Sequence, residues 1–365
     1  MIGFPLCKKK SWIRSLLMPF SWLYGGVLAI RNFLFDLGVF KSKKQPVVTI
    51  SVGNLSMGGT GKTPITSLLI KVLQEEFHLA VLSRGYGRSS KGFLLATKKC
   101  KPAHVGDEIL LHRKQLKDQF YAAVCEDRNK GINHLLEIDS KIEMVLLDDA
   151  YQHRKTHRDV NLLVTTYQVP FWKDYVVPAG RLREFRTGAK RADAIIINKC
   201  PSEISDEERA SLQNKAKKYA NNIYFASIKY GAIEPLVDTA FYLPKNILLV
   251  TGIADPTHLV QHLEKIAPVK KLIFDDHYAY ESKDLTRIHE IFDKFAEDEA
   301  IIVTTEKDAV KICQKPFLSQ LADYPWFVQK MEVQFLEEDL KEEDKFINWI
   351  KNVATNKRSS SISAK

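Results

Sequence analysis

The stretch Ser51–Pro64, SVGNLSMGGTGKTP, limits what this chain can fold into more than any other segment. It follows an apolar run, Val47–Val52, and precedes a segment in which Ile65, Leu68, Leu69, Val72 and Leu73 recur at i, i+3, i+4, i+7 and i+8, one face of a helix. A glycine-rich loop between a strand and a helix is the setting of a phosphate-binding loop. Glycine lets backbone N–H groups turn inward around an anion, and the helix N-terminus adds about half a positive charge. Pro64 falls in the first turn, where its missing N–H does no harm. The expected cradle is Ser56, Met57, Gly58, Gly59, Thr60, Gly61, Lys62 and Thr63. Lys62 would reach β- and γ-phosphate oxygens, and the Thr63 hydroxyl would ligate Mg²⁺. The strict pattern G-x-x-x-x-G-K-[ST] fails at its first position, which is Ser56. A glycine-rich turn that merely contains Gly-Lys-Thr is the competing reading.

From Val47 onward, short apolar runs (VVTISV, HLAVLS, FYAAV, IEMVLL, NLLVTT, AIIIN) alternate with amphipathic segments such as Ile65–Phe77, Asp107–Asp118 and Glu126–Glu137. Continuous apolar strands separated by helices indicate a mostly parallel sheet covered on both faces. The expectation is an α/β fold of the P-loop NTPase type, with a core over residues 45–235. A second, smaller α/β domain is expected over 236–350. Residues 229–245 are expected to connect the two, and 351–365 to form a disordered tail.

Residues 1–44 read as a membrane-associating region. Lys8, Lys9, Lys10 and Arg14 precede sixteen uncharged residues, Ser15–Ile30, and Arg31 closes the run. A spanning helix needs about 20 apolar residues, and this run also holds Pro19 and a Gly25–Gly26 pair. Trp12, Trp22 and Tyr24 suit the headgroup level, and Lys41, Lys43 and Lys44 add attraction to an anionic leaflet. The reading is an interfacial helix rather than a span; a signal peptide or a buried core helix are the alternatives. A net charge of +10 suits phosphate-rich partners without choosing among them. No basic and aromatic groove points to nucleic acid, and no obligate protein partner is evident. The five scattered cysteines form no C-x-x-C pair, which argues against a disulfide scaffold or a cysteine zinc site.

A phosphate loop needs a carboxylate for its metal. The strand candidate Ile142–Leu147 ends in Asp148–Asp149, at the edge where a parallel sheet binds its ligands. Either aspartate could hold Mg²⁺, directly or through water; a solvated turn is the alternative. Arg128, after another strand candidate, fits a phosphate clamp or a surface ion pair.

Several motifs occur in order: GNLSMGGTGKTP, RGYGR (Arg84–Arg88), GDE (Gly106–Glu108), EDR (Glu126–Arg128), LLDDAYQHRKTHRD (Leu146–Asp159), PAGRLRE (Pro178–Glu184), DDHYAY (Asp275–Tyr280) and TTEKDAVK (Thr304–Lys311). As an ordered set they resemble the tetraacyldisaccharide 4′-kinases, over roughly residues 10 to 350. The resemblance implies transfer of the ATP γ-phosphate to the 4′-hydroxyl of a tetraacylated glucosamine disaccharide 1-phosphate, the lipid A precursor. It also implies a peripheral protein on the cytoplasmic face of the bacterial inner membrane, with a site between two α/β domains. Ile109, Ala150, Arg181 and Phe185 depart from the usual family pattern, and none of them is a proposed catalytic group.

The resemblance places Asp107 at the acceptor as base, with His277 of the second domain as its partner. The rival readings are a first-turn aspartate satisfied by backbone N–H groups and an ordinary cleft histidine. Arg181, Arg183 and Arg186 are expected near phosphates, Glu184 in the metal's outer shell, and His153 near the metal or acceptor. The segment Glu306–Asp308 is either near the nucleotide or a plain helix start. Asn198–Lys199 resembles the guanine-reading N-K-x-D, but position 201 is proline. A rival from another class is a deviant-Walker ATPase that switches a protein partner. Those ATPases carry a signature lysine just before the glycine pair, where this chain has Met57.

Overall fold

The computed structural model describes residues 11–239, 242–295, 299–315, 317–336 and 340–362. Twelve strands form one sheet: β1 (Val48–Gly53), β2 (Leu79–Ser83), β3 (Leu94–Ala96), β4 (Tyr121–Val124), β5 (Met144–Asp148), β6 (Val160–Thr166), β7 (Ala194–Asn198), β8 (Asn222–Pro235), β9 (Asn246–Thr251), β10 (Val269–Ile273), β11 (Ala300–Thr305) and β12 (Trp326–Phe335). Their order is β10-β9-β11-β12-β8-β7-β6-β1-β5-β2-β4-β3. Every pairing is parallel except β3 with β4 at one edge and β8 with β12 in the middle.

That central antiparallel pair sets the geometry of everything else. β8 runs beside β7 over Asn222–Phe225 and continues past it toward Pro235, paired there with β12, with Ala226 opposite Phe335 and Pro235 opposite Phe327. β11 pairs with the first part of β12, Trp326–Gln329. The second parallel block therefore hangs on the far end of β8, about 30 Å beyond β7 at the usual rise of a strand. Its strands run the opposite way, so the C-terminal edges of the two blocks face each other. Ligand crevices of open α/β sheets lie at such edges.

Helices cover both faces of each block. On one face of the first block, Ile65 and Leu69 of the helix Lys62–Leu73 pack with Ile109 of the helix Asp107–Gln115. On the other, Ile132 and Leu135 of the helix Arg128–Ile138, then Leu212 of the helix Asp206–Ala216, close the core. The second block is sandwiched by Leu285, Ile288 and Phe292 on one side and Leu259, Val260 and Leu263 on the other.

Two expectations need correction. Residues 229–235, read as part of a connection, complete β8. The stretch from 351, read as a disordered tail, continues the helix Leu340–Ile362; residues 363–365 lie outside the described set. That helix returns to the first block, where Phe346, Ile350 and Ala354 are buried against it. The N-terminal region carries the helix expected of it, Ser11–Asp36 with Pro19 inside it, and by length and composition Trp12–Asp36 could cross a membrane. Its charged ends are engaged by the protein instead of interrupting it. Arg14 lies 5.4 Å over the Tyr175 ring, and Arg31 donates to the Gln152 carbonyl at 3.3 Å. Asn32 donates to Glu184 at 2.6 Å, and Asp36 pairs with Arg154 at 2.6 Å. The opposite side, with Leu16, Leu23, Val27 and Ile30, is exposed.

Candidate active site

The loop after β1 is held open by its neighbours. Asn54 donates to the Thr60 hydroxyl at 2.9 Å, Asn198 donates to the Thr60 carbonyl at 3.1 Å, and the Met57 amide donates to the Arg181 carbonyl at 2.7 Å. Gly58 and Gly61 have φ of 100° and 89°, in the left-handed region that favours glycine. A Cβ at Gly61 would also collide with the Asn198 amide. No side chain caps the helix that begins at Lys62, and its first residues, Lys62 and Thr63, line the cleft. Asn198 thus supports the loop instead of reading a base.

The cleft between the two sheet edges measures about 640 Å³. Met57, Gly58, Gly59, Thr60, Gly61, Lys62 and Thr63 form one wall; Tyr86, Glu108, Asp149, Arg183, Asp276, His277 and Lys307 are among the others. Ser56 is buried behind the loop, bridged to Leu182. Lys62 Nζ lies 3.7 Å from Asp149 Oδ1, and Arg183 Nη1 grips both Asp149 oxygens at 2.9 and 3.0 Å. Asp149 leaves β5 with φ 47°, a backbone turn that aims it into the cleft. Asp148, one residue earlier, points down: it is 1% exposed, with Thr66 Oγ1 at 3.4 Å from Oδ1 and His112 Nε2 at 3.6 Å from Oδ2. Burial pushes the Asp148 pKa up, but the facing His112, then Lys62 and Arg128, outweigh it and leave it below the ordinary carboxylate value.

Opposite the loop, the two halves meet at an acid–base cluster. Gly106 (φ 92°) turns the chain so that Asp107 opens its helix, and His277 arrives with φ 61° from the loop after β10. His277 Nδ1 is 3.2 Å from Asp107 Oδ1, and Lys307 Nζ is 3.1 Å from His277 Nε2. Lys307 also lies 3.4 Å from Asp276, 3.8 Å from Glu108 and 3.9 Å from Asp107. Lys311, one turn later, sits 3.9 Å from Asp107 and 2.8 Å from Asp308. Burial pulls the Asp107 pKa up, yet the His277 hydrogen bond and the charges of Lys307, His277 and Lys311 bring it to about 2. For His277, burial lowers the pKa and the Asp107 hydrogen bond raises it more, so the net direction is up.

Not every expected residue is here. Arg128 is 2% exposed and turned inward, donating to the Cys125 carbonyl at 2.8 Å and the Asp148 carbonyl at 3.3 Å, with burial holding its pKa down to about 10. It braces the strand ends rather than clamping phosphate. Glu184 is spent on Asn32, Gln152 and Arg191, at 2.6, 3.2 and 2.7 Å, beneath the N-terminal helix. It does not line the cleft, so no outer-shell metal role follows. Arg181 and Arg186 are tied to Asp174, and of the three arginines only Arg183 lines the cleft. His153 does not line it either, and burial lowers its pKa to about 4. Lys307 and Lys311 were missed as individual site residues. The available signal was their spacing of four, which puts both on one face of the helix Glu306–Ile312.

Residues 13–352 match the family model described as tetraacyldisaccharide-1-P 4′-kinase, LpxK. The tetraacyldisaccharide 4′-kinase of Cytophaga hutchinsonii is 44% identical over 85% of this chain and 88% of its own. That of Bacteroides thetaiotaomicron is 40% identical over 96% of each chain. The crystal structure of LpxK from Aquifex aeolicus, described as an "apo" form in complex with ATP, superposes with a TM-score of 0.70 at 30% identity, covering 93% of this chain and 99% of that one. Matched by the family model over residues 13–352 and by relatives 40% and 44% identical, this chain belongs to the tetraacyldisaccharide-1-P 4′-kinase family.

Proposed function

We propose that the protein transfers the γ-phosphate of ATP to the 4′-hydroxyl of a tetraacylated glucosamine disaccharide 1-phosphate, in lipid A biosynthesis. The observation that carries this reading is one cleft with Lys62 on one wall and His277 on the other, the buried Asp107 standing 3.2 Å behind His277. A triphosphate fits the wall formed by the glycine loop, the uncapped start of the helix and Lys62. Mg²⁺ fits Thr63 and Asp149, the oxygen donors on the cleft wall, with the buried Asp148 behind them as a carboxylate that would reach the ion through water. Among the described residues no group of three or more His, Cys, Asp or Glu side chains is placed to hold a metal. That suits an ion bound by one or two carboxylates, waters and substrate phosphates. Bound there, it would neutralise charge on the transferring phosphate.

The chain's own groups do the rest. Lys62 holds the outer phosphates, and the Lys62–Asp149–Arg183 array keeps cations close to the transferred group. Asp107 orients the acceptor hydroxyl and receives its proton, while His277 holds Asp107 in place. Lys307 donates to His277 Nε2, which leaves Nδ1–H to face Asp107. The transition state of phosphoryl transfer is loose, so this positioning matters more than basicity.

The acceptor's acyl chains stay in a bilayer, so the enzyme must work at one. An apolar hollow of about 390 Å³, lined by Met18, Trp22, Tyr175, Val176, Leu182 and Phe185, lies where the N-terminal helix meets the body. We place the protein peripherally on the cytoplasmic face of the bacterial inner membrane. The helix's polar contacts with the body on one side and its bare apolar side on the other support that placement. Leu23→Glu with Ile30→Glu should move the protein from floated anionic vesicles to the soluble fraction while it still binds ATP. Unchanged flotation would remove the helix as the anchor.

The direct test of the activity is labelled ATP with the disaccharide 1-phosphate in detergent, followed by identification of the phosphorylated position. Label at the 4′-oxygen is the expected result. ATP turnover stimulated by a protein and indifferent to the lipid would favour the switch reading instead.

A further inference from the structure

His112 is fully buried, and neither of its ring nitrogens has a hydrogen-bond partner. An unpaired buried polar side chain costs about 1–3 kcal/mol, so it calls for an explanation. His112 lies in the helix that opens with Asp107, and its Nε2 is 3.6 Å from Asp148 Oδ2. That is roughly half an ångström beyond a normal hydrogen bond. On the other carboxylate oxygen, Thr66 Oγ1 donates at 3.4 Å. Asp148 is thus flanked on both sides, at the end of the central strand β5, directly under the Lys62 helix.

We propose that His112 is a positioning residue for Asp148. It fixes the rotation of the carboxylate through Nε2–H and so sets the affinity of the divalent-metal site. The inference rests on the reading of Asp148 as a metal-site carboxylate. Groups that orient a metal-binding carboxylate typically contribute about 10- to 100-fold to metal affinity when removed. One rigid helix would then carry both the acceptor's aspartate at its first residue and the metal carboxylate's support in its last turns. Changes that tilt this helix would disturb both ends of the reaction together.

The test measures Mn²⁺ binding by electron paramagnetic resonance to the full chain loaded with a non-hydrolysable ATP analogue, in His112→Leu, His112→Gln, His112→Asn and Asp148→Asn. Glutamine places its amide nitrogen near the Nε2 position and asparagine near Nδ1. The expected result is a loss of about 10- to 100-fold in His112→Leu and His112→Asn, with His112→Gln close to the parent. The Mg²⁺ concentration for half-maximal turnover should follow the same order, with the KM for the lipid acceptor unmoved. Loss in Asp148→Asn with parent affinity in His112→Leu overturns the His112 assignment alone. Parent affinity in both overturns the metal-site reading with it. If His112→Leu does not fold, equal affinity in the glutamine and asparagine variants overturns the proposal.

Discussion

Alanine at Lys62 is expected to lower kcat for acceptor phosphorylation by about 10²–10³-fold, roughly 3–4 kcal/mol of transition-state stabilisation. Lys62 stands at the first position of its helix, the one loop side chain that adds a full charge to the N–H groups around it. Its partner Asp149 keeps the two-toothed contact from Arg183, so the substitution strands no buried charge. The thermal midpoint should therefore stay near the parent's while turnover collapses. Arginine is expected to be a poor substitute, because its planar fork is larger than an ammonium and spreads the charge that lysine concentrates at one point. The measurement is kcat and KM for ATP with the phosphorylated position identified, alongside a melting curve. Turnover within a few-fold of the parent would reduce the loop to an ordinary turn.

The parts of this site legible in the sequence are those written in local chemistry. The phosphate loop announces itself because strand, glycines, lysine and amphipathic helix are contiguous. Asp148–Asp149 is legible for the same reason, as carboxylates at the end of an apolar run. The meeting of Asp107 and His277 spans 170 residues, and the ordered motifs pointed to it, not the local sequence. β8 was misread because Gly231 and Pro235 look like loop residues. Its extension is held by β12, about a hundred residues away, and no local pattern reports such a pairing. Helix Leu340–Ile362 was misread for a related reason. Its end is polar, but Phe346, Ile350 and Ala354, spaced by four, anchor it to a distant core.

Charged residues are the hardest to place. Arg128 and Arg183 are alike as sequence, yet one is sealed among carbonyls and the other faces the cleft. Glu184 reads as a metal-site carboxylate in its motif, but it is consumed by Asn32, 152 residues away, and by Arg191 and Gln152. An ionisable side chain goes where counter-charges and hydrogen bonds exist in three dimensions, because an unpaired charge in the interior is costly. Those partners come from the tertiary fold.

Asparagine at Asp107 is expected to lower kcat by about 10²–10⁴-fold, the range of general acid–base assistance, and also to move the pH profile in a direction fixed by the geometry. With its pKa at about 2, Asp107 stays ionised wherever the protein is folded and assayed, so it cannot give the profile its acid limb. His277 can. The groups facing it are Asp107 at Nδ1, Lys307 and Asp276 at Nε2, and the Tyr86 ring. Burial lowers its pKa and Lys307 opposes its charge, but the bond to Asp107 dominates and carries it above the ordinary histidine value. Below that pKa the imidazolium's charge holds the Asp107 carboxylate back from the acceptor hydroxyl. As pH rises through it, the ring becomes neutral, the carboxylate is released to the hydroxyl and kcat climbs. Asparagine removes the anion that lifted the pKa while Lys307, still held by Glu108 and Asp276, remains to depress it. The acid limb of kcat should therefore shift to lower pH in Asp107→Asn, on a much lower plateau, and should vanish in His277→Gln. A limb that stays in place in Asp107→Asn would mean that the two side chains, though 3.2 Å apart, do not act as a pair.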